Sequence, residues 1–579
     1  MRIFTLTGFK FVWFVSLLTI FACFEANAQV LPPIDPTGRS GEPPRPREEE
    51  ELRPPAKAPS VILPPAPIVP KEKAGIPPVR TLVREIRVIG GTVFSAEELA
   101  RVTAPYQNRE LTAEDLEALR IALTLLYVNR GYVNSGAILP DQTITDGVVT
   151  IQIIEGELTG IDVVGNKWFR ANYLIKRLSL AAGPPLNLYA LQDRLRLLLE
   201  DQRIARLNAE LKPGLKSGEG VLNVLVEERT PYKLWLDFNN YQSASVGEMR
   251  GIITLEHQNL TGNGDIATAR YGRSKGLDPL LDFRYSLPVT AYDTTLSLQY
   301  RKNSFANVEE PFVDLDIKSK SDIYGITLRQ PIYRTLNSEV ALDLTGEYLS
   351  HKTFLLGEPF KLTPGANRQG ESFVTALRPA LEWVYRTQNQ VIAARSRLSF
   401  GLDALGATIN NNGEPDGRFV AWLGQFQWVR RLPVLDTQLI FRTDVQLSDD
   451  ALLSLEQIAV GGRYSVRGYR ETTLLRDRAL LTSLEIRVPL IRNTRWADFL
   501  ELAPFIDFGR GWNRRQPTPD PPDISSVGVG IRWALTFLWP VPVRPQVELY
   551  WGHRLRKVER PENTLQDNGL HFQIILAAF

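Results

Sequence analysis

Ser526-Val527-Gly528-Val529-Gly530-Ile531-Arg532-Trp533 places an apolar residue at every second position without a break. Successive side chains of a strand point to opposite faces, so a period of two makes a ribbon with one greasy face and one wet face. The pattern recurs outward from this stretch. Leu484, Ile486 and Val488 alternate with Ser483, Glu485 and Arg487. Leu439, Phe441, Thr443, Val445 and Leu447 alternate for the most part with Gln438, Arg442, Asp444 and Gln446. Farther upstream, Leu342 and Leu344 alternate with Asp343 and Thr345 in a run that continues to Tyr348. Leu296, Leu298 and Tyr300 alternate with Thr295, Ser297, Gln299 and Arg301. Downstream, His571, Gln573, Ile575, Ala577 and Phe579 share one strand face.

Residues 231–579 therefore read as one zone of short antiparallel strands. A soluble sandwich would alternate too, but here the polar face carries Arg, Asp and Glu, which suits a water-filled lumen. Trp235, Tyr300, Tyr348, Trp383, Trp422, Trp428, Trp533 and Trp551 cluster near strand ends, as interfacial girdles require. No stretch of the mature chain reaches the ~20 apolar residues of a spanning helix. A protein of this kind enters lipid as a closed barrel, the other architecture that pairs every backbone polar group. At about 10 residues per crossing, sixteen strands are expected, with 14 and 18 as the neighbouring even counts.

The segment before this zone divides further. Met1–Ala28 reads as a secretory signal peptide: Arg2 and Lys10 are basic, Phe11–Phe24 is apolar, and Ala26-Asn27-Ala28 is an A-x-A cleavage site. Residues 29–80 form a linker punctuated by Pro32-Pro33, Pro43-Pro44, Pro54-Pro55, Pro64-Pro65 and Pro77-Pro78, extended because proline fixes φ and removes donors. Its run Arg47-Glu48-Glu49-Glu50-Glu51 reads as solvated charge. Residues 81–155 and 156–230 look like two copies of one α/β unit. Ile86-Arg87-Val88-Ile89-Gly90 opens the first and Ile161-Asp162-Val163-Val164-Gly165 the second. Ser95 with Glu98 is a capping box, and Thr112 with Asp115 a close variant. Leu116, Leu119, Leu123 and Leu126 fall at helical spacing, as do Leu188, Leu191, Leu195 and Leu198. Val148–Ile154 and the alternating Leu222, Val224 and Val226 supply closing strands.

Composition removes several function classes. With 67 Lys+Arg against 65 Asp+Glu, the chain has no basic excess to neutralise phosphates, so nucleic acid is not expected as a partner. Its one cysteine, Cys23, lies in the signal segment, which excludes disulfides and cysteine metal sites from the mature chain. His257, His351, His553 and His571 have no ligand spacing. Neither a G-x-x-x-x-G-K-[ST] loop nor a G-x-S-x-G elbow occurs, so no cofactor, metal or enzymatic activity is expected.

The most informative loop is Gly461-Gly462-Arg463-Tyr464-Ser465-Val466-Arg467-Gly468-Tyr469. Val466-Arg467-Gly468-Tyr469 matches the V-R-G-Y motif of the BamA-like superfamily, which tips a loop folded into the barrel. Phe505-Ile506-Asp507-Phe508-Gly509 matches its F-x-D-x-G strand element. An arginine in a narrow lumen loses water and needs a carboxylate that its planar fork can grip. Asp507 is the first choice of partner and Glu485 the second. The strand–helix–helix–strand order of residues 81–230 resembles tandem POTRA domains, periplasmic modules that bind polypeptides through exposed sheet edges. A terminal Phe579 resembles the signal by which barrel-assembly machinery takes up outer-membrane barrels.

Together these features resemble the outer-membrane transporter of two-partner secretion, the haemolysin-activator and filamentous-haemagglutinin transporter type. The resemblance implies an α+β periplasmic region of two POTRA units followed by a transmembrane barrel in the outer membrane of a Gram-negative bacterium. It further implies a large secreted adhesin- or haemolysin-type exoprotein as partner, bound unfolded and threaded outward once the Arg467 loop shifts. A barrel-assembly factor of the same superfamily and a passive porin are the alternative readings. Members often begin with a helix that plugs the barrel; the prolines of residues 29–80 speak against a long helix there.

Overall fold

The computed structural model describes residues 80–539, 541–558 and 564–579. The signal peptide and nearly all of the Pro-rich linker, Arg47–Glu51 included, lie outside the described residues.

Both capping boxes form. The Ser95 hydroxyl accepts from the Glu98 N–H and the Glu98 carboxylate accepts from the Ser95 N–H, starting α1 (Ala96–Thr103); Thr112 and Asp115 do the same for α2 (Ala113–Asn129). Such a cap stabilises a helix by about 1 kcal/mol. The buried stripe of α2 is Leu116, Leu119, Leu123 and Tyr127. Leu126 packs half-buried against the same core, and the fully buried Tyr127 beside it places its hydroxyl 3.1 Å from the Glu155 carboxylate. These helices cover a sheet in which β2 (Glu85–Ile89) runs parallel to the central β5 (Val148–Ile154), and β4 (Gly136–Ile138) antiparallel to it. The short strands β1 (Thr81–Val83) and β3 (Arg109–Leu111) pair beside them.

The second unit repeats the plan. Its sheet places β8 (Glu219–Glu228) between a parallel β6 (Glu157–Val164) and an antiparallel β7 (Ile204–Pro213). Helices α3 (Ala171–Leu178) and α4 (Leu188–Leu199) bury Leu174, Leu178, Leu191 and Leu195 against it. Each such side chain withdrawn from water stabilises by about 1.5–3 kcal/mol. The two units are joined firmly: the Asn134 amide donates to the Gly218 carbonyl at 2.8 Å, and the Leu188 N–H to the Gly131 carbonyl at 2.8 Å.

The rest is a closed antiparallel barrel of sixteen long strands among the described residues, from Tyr232–Asn239 to Leu570–Ala578, which pair with each other to shut the cylinder. Leu296, Leu298, Ile326, Leu344 and Ile531 lie exposed on the outer wall, while Asp282, Arg301, Arg378, Asp507 and Arg532 are buried inside. Of the aromatic residues expected in the girdle, Trp235 does not belong. It pairs with Thr254 and Ala577 on the inward face, because Leu234 and Leu236 on either side of it take the lipid side.

One end of the barrel has short turns, the other long loops, the usual asymmetry of outer-membrane barrels. The second α/β unit docks on the short-turn end. Arg177 grips Asp293 at 2.5 and 2.9 Å and stacks 3.6 Å over the Tyr173 ring. Arg203 donates to the carbonyls of Gln258 (3.1 Å) and Gly264 (2.7 Å). That end is the periplasmic one.

Candidate functional site

The connection between the strands Gln438–Ser448 and Arg478–Thr494 does not stay outside. It forms a small hairpin, Ile458–Val460 against Leu474–Arg476, whose tip enters the lumen. Arg467 at this tip is 3 % exposed. Its Nε donates to Asp507 Oδ2 at 2.7 Å, its Nη2 to Asp507 Oδ1 at 2.8 Å and to Ser483 Oγ at 3.0 Å, and its own N–H to Asp507 Oδ2 at 2.9 Å. The remaining Nη1 pairs with Glu485. The guanidinium lies 3.6 Å over the Phe505 ring. The edge of this planar cation is taken up by carboxylates and a hydroxyl, and an aromatic ring lies against one of its faces.

The neighbouring strands explain how this arises. Ser483 pairs with Asp507 and Glu485 with Phe505, so all four point inward. Phe505, Asp507 and Gly509 alternate along one strand: ring, carboxylate, then a gap. A Cβ on Gly509 would lie 2.7 Å from Val466 Cγ2, and one on Gly552 would lie 2.8 Å from Gly468 Cα. Gly528 and Gly530, the small positions of the opening stretch, make room for the Phe505 and Tyr550 rings. The lumen wall is thus thinned where the loop berths.

The other motif residues are seated as firmly. Val466 is fully buried. Gly468, at φ +87°, donates its N–H to His571 Nε2 at 3.1 Å. The Tyr469 hydroxyl sits 2.7 Å from the Arg556 carbonyl and 3.0 Å from that of Ser525. Phe579 lies far from this loop, at the periplasmic rim, where its N–H donates to the Pro542 carbonyl at 3.1 Å.

Three charged residues of the loop make contacts that sequence reasoning missed. Arg470 grips Asp567 at 2.5 and 2.6 Å and Glu309 at 2.5 Å, a second latch at the extracellular rim. Arg463 pairs with Glu548 at 2.8 Å and lies 4.0 Å over Tyr550. Glu471 accepts the Arg463 N–H at 2.6 Å. The available signal was the spacing of Arg463, Arg467 and Arg470 within one glycine-rich loop. Chemically, the arrangement is a loop held inside the lumen by ion pairs.

Comparison with known proteins points the same way. The family described as haemolysin secretion/activation protein ShlB/FhaC/HecB matches residues 218–533, and the ShlB-type POTRA domain matches residues 81–156. The outer membrane transporter CdiB of Dickeya dadantii (strain 3937) is 23% identical over 492 residues, 79% of this chain and 82% of that protein. The heme/hemopexin transporter protein HuxB of Haemophilus influenzae (strain 86-028NP) is 22% identical over 458 residues, 76% of this chain and 78% of its own. The solved structure of CdiB from Escherichia coli superposes with a TM-score of 0.64 at 21% identity, covering 88% of this chain and 93% of that one. BamA from Haemophilus ducreyi lacking POTRA domains 1-3 superposes at 0.51 with 14% identity, over 86% and 100% of the respective chains.

Proposed function

Because the chain belongs to the ShlB/FhaC/HecB family of haemolysin secretion/activation proteins, we propose that it recognises an unfolded adhesin- or haemolysin-type exoprotein in the periplasm and passes it through the outer membrane. The observation that carries this reading is the lumen loop latched at Arg467 by Asp507 and Glu485. A passive porin needs no such plug, and a conduit for polypeptide must stay shut between passengers.

Residues 81–155 and 156–230 act as two POTRA units that receive the cargo. Their sheets leave β2, β4, β6 and β7 as edge strands, and an unpaired edge accepts an extended chain as an added strand. The free stretch of β5 is unavailable, since the Gln142 amide both donates to and accepts from the Thr150 backbone at 2.7 Å. Cargo engagement loosens the Arg467 loop, the lumen opens, and folding of the cargo outside draws the chain forward without nucleotide. The protein catalyses no covalent step in this scheme, and Phe579 serves its own delivery to the barrel-assembly machinery.

The test is a secretion assay in cells carrying the partner exoprotein. Deleting residues 81–155 abolishes export and cargo binding while the barrel still runs as a heat-modifiable band. Intact binding by the deleted protein refutes the role given to this unit.

A further inference from the structure

The outer wall carries a feature that the transport reading leaves unused. Tyr300, Tyr324 and Tyr348 stand opposite one another on three adjacent strands, with ring centroids 5.0 and 6.4 Å apart, and Phe373 extends the row at 6.5 Å. Below this belt, toward the periplasm, Ile326 and Leu328 lie exposed on the outer wall. The belt therefore marks the extracellular boundary of the hydrocarbon layer.

Four residues farther along the strands, Lys320 and Lys352 face each other as direct cross-strand partners. At ~3.3 Å per residue they stand about 13 Å past the belt along the strand, roughly 10 Å higher for the usual barrel tilt, at the level of lipid headgroups. Lys318 follows one row higher, opposite Phe354. The ammonium groups of Lys320 and Lys352 converge on the Phe354 ring, at 5.6 and 5.7 Å. Lys352 has Glu371 at 2.8 Å and Lys318 has Asp316 at 2.8 Å. Among the described residues Lys320 has no carboxylate partner. Like charges directly opposite each other in a sheet are destabilising; Glu371 answers Lys352, and the charge of Lys320 is left for a further anion.

We propose that Lys320 and Lys352, supported by Lys318, bind a phosphate group of the phosphorylated glycolipid that forms the outer leaflet of the outer membrane. Its acyl chains would lie on Tyr324, Ile326 and Leu328. Headgroup level, outward aspect, two facing lysines with a single carboxylate between them and an aromatic belt directly beneath fit an anionic amphiphile. The bound lipid would bridge the extracellular ends of the adjacent strands Lys318–Arg334 and Ser338–Leu355.

The test uses the full chain, delipidated in detergent, with diphosphoryl lipid A and fully dephosphorylated lipid A as probes in native mass spectrometry. Wild type binds the diphosphoryl form about tenfold more tightly than K320Q/K352Q does, the effect of one charge-assisted hydrogen bond. It binds the dephosphorylated form no better than the variant binds either lipid, and K320R/K352R keeps the preference. Diphosphoryl lipid A raises the Tm of wild type but not of K320Q/K352Q. Equal affinity of wild type for the two lipids overturns the proposal, and so does unchanged affinity in K320Q/K352Q. Inorganic phosphate that raises the Tm as much as the lipid does makes this a free-anion site, which also overturns it. Should K320Q/K352Q fail to fold, the two-lipid comparison on wild type decides alone.

Discussion

Replacing Arg467 with alanine removes the centre of the lumen latch, and the cost can be worked from its neighbours. Glu485 keeps Arg487, 2.6 Å away, so it is not stranded. Asp507 fares worse. Of its contacts with Arg467 only the backbone N–H at 2.9 Å survives, and the residue is 1 % exposed. Breaking a buried pair so that one charge is left uncompensated costs roughly 3–5 kcal/mol. The loop can respond by leaving the lumen, where Asp507 regains water. At 1.36 kcal/mol per factor of ten, even the lower figure shifts the in–out balance by roughly two orders of magnitude. The chain's lone cysteine is Cys23, within the segment expected to be cleaved off as a signal peptide, so a cysteine placed at Ser465 should report the loop alone. In intact cells a membrane-impermeant maleimide added outside should label S465C slowly and S465C/R467A quickly, while export of the partner falls. Arg467→Lys should behave like alanine in export, because one ammonium cannot span Asp507, Ser483 and Glu485 or stack flat on Phe505. Equal labelling and equal export in wild type and R467A would falsify the latch. Loss of the heat-modifiable barrel would instead mean that the loop is needed for assembly.

Other substitutions probe the berth and the joints. Gly552→Ala puts a methyl group 2.8 Å from the Gly468 backbone; overpacking of this kind costs about 1–3 kcal/mol and should raise single-channel conductance in planar bilayers, whereas an outward-facing control such as Val529→Ala should not. Arg177→Ala removes the grip on Asp293 and the stacking on Tyr173; hydrogen exchange at the Thr290–Thr294 turn should accelerate by at least tenfold, the outcome of losing about 1.5–3 kcal/mol of charge-assisted bonding. Glu155 accepts from the Thr92 N–H and hydroxyl, the Val93 N–H and Tyr127. Burial raises its pKa, but the Thr92 and Val93 bonds outweigh that and hold it below the ordinary carboxylate value. A carboxylate lowered on folding stabilises above its unfolded pKa and loses that contribution as pH falls through the folded one. Protection of the β2–β5 sheet should therefore drop below about pH 4 in wild type, and Glu155→Gln should flatten that profile while costing about 1–2 kcal/mol at neutral pH.

The barrel was legible because lipid and lumen impose a period of two, which the strands from Leu296–Tyr300 to Val527–Trp533 display. The failures have the same physical source. Leu234-Trp235-Leu236 offers three large apolar side chains in a row, so alternation leaves the face of Trp235 undecided until pairing with Thr254 and Ala577 fixes it. Along α2 the spacing picks out Leu126, which does pack against the core, but not its fully buried neighbour Tyr127, held by a hydrogen bond to Glu155 from outside the helix. For the lumen loop, alternation says which carboxylates face inward. It does not say which of them stand side by side, since that depends on the register between strands, here Ser483 beside Asp507. Asp567 and Glu309 are 97 and 161 residues from Arg470, on other loops, and no local pattern points to them.

The glycines carry the deeper lesson. In Ser526–Trp533 a period-two reading treats Gly528 and Gly530 as members of the wet face, interchangeable with Ser526 or Arg532. Their place in the barrel gives them a different task. A Cβ on Gly528 would meet Phe505 at 2.5 Å, and one on Gly530 would meet Tyr550 at 2.3 Å. Those two rings are the surfaces over which Arg467 lies, at 3.6 and 5.1 Å. The wall is carved so that aromatic rings can sink into it and a guanidinium can lie over them, still within reach of Asp507 and Glu485. The motif arginine and the strand glycines are therefore one device: serine at either glycine would keep the barrel's alternation and push the ring toward the cation. The same alternation that makes the fold readable conceals this, because it records polarity, while the latch depends on volume.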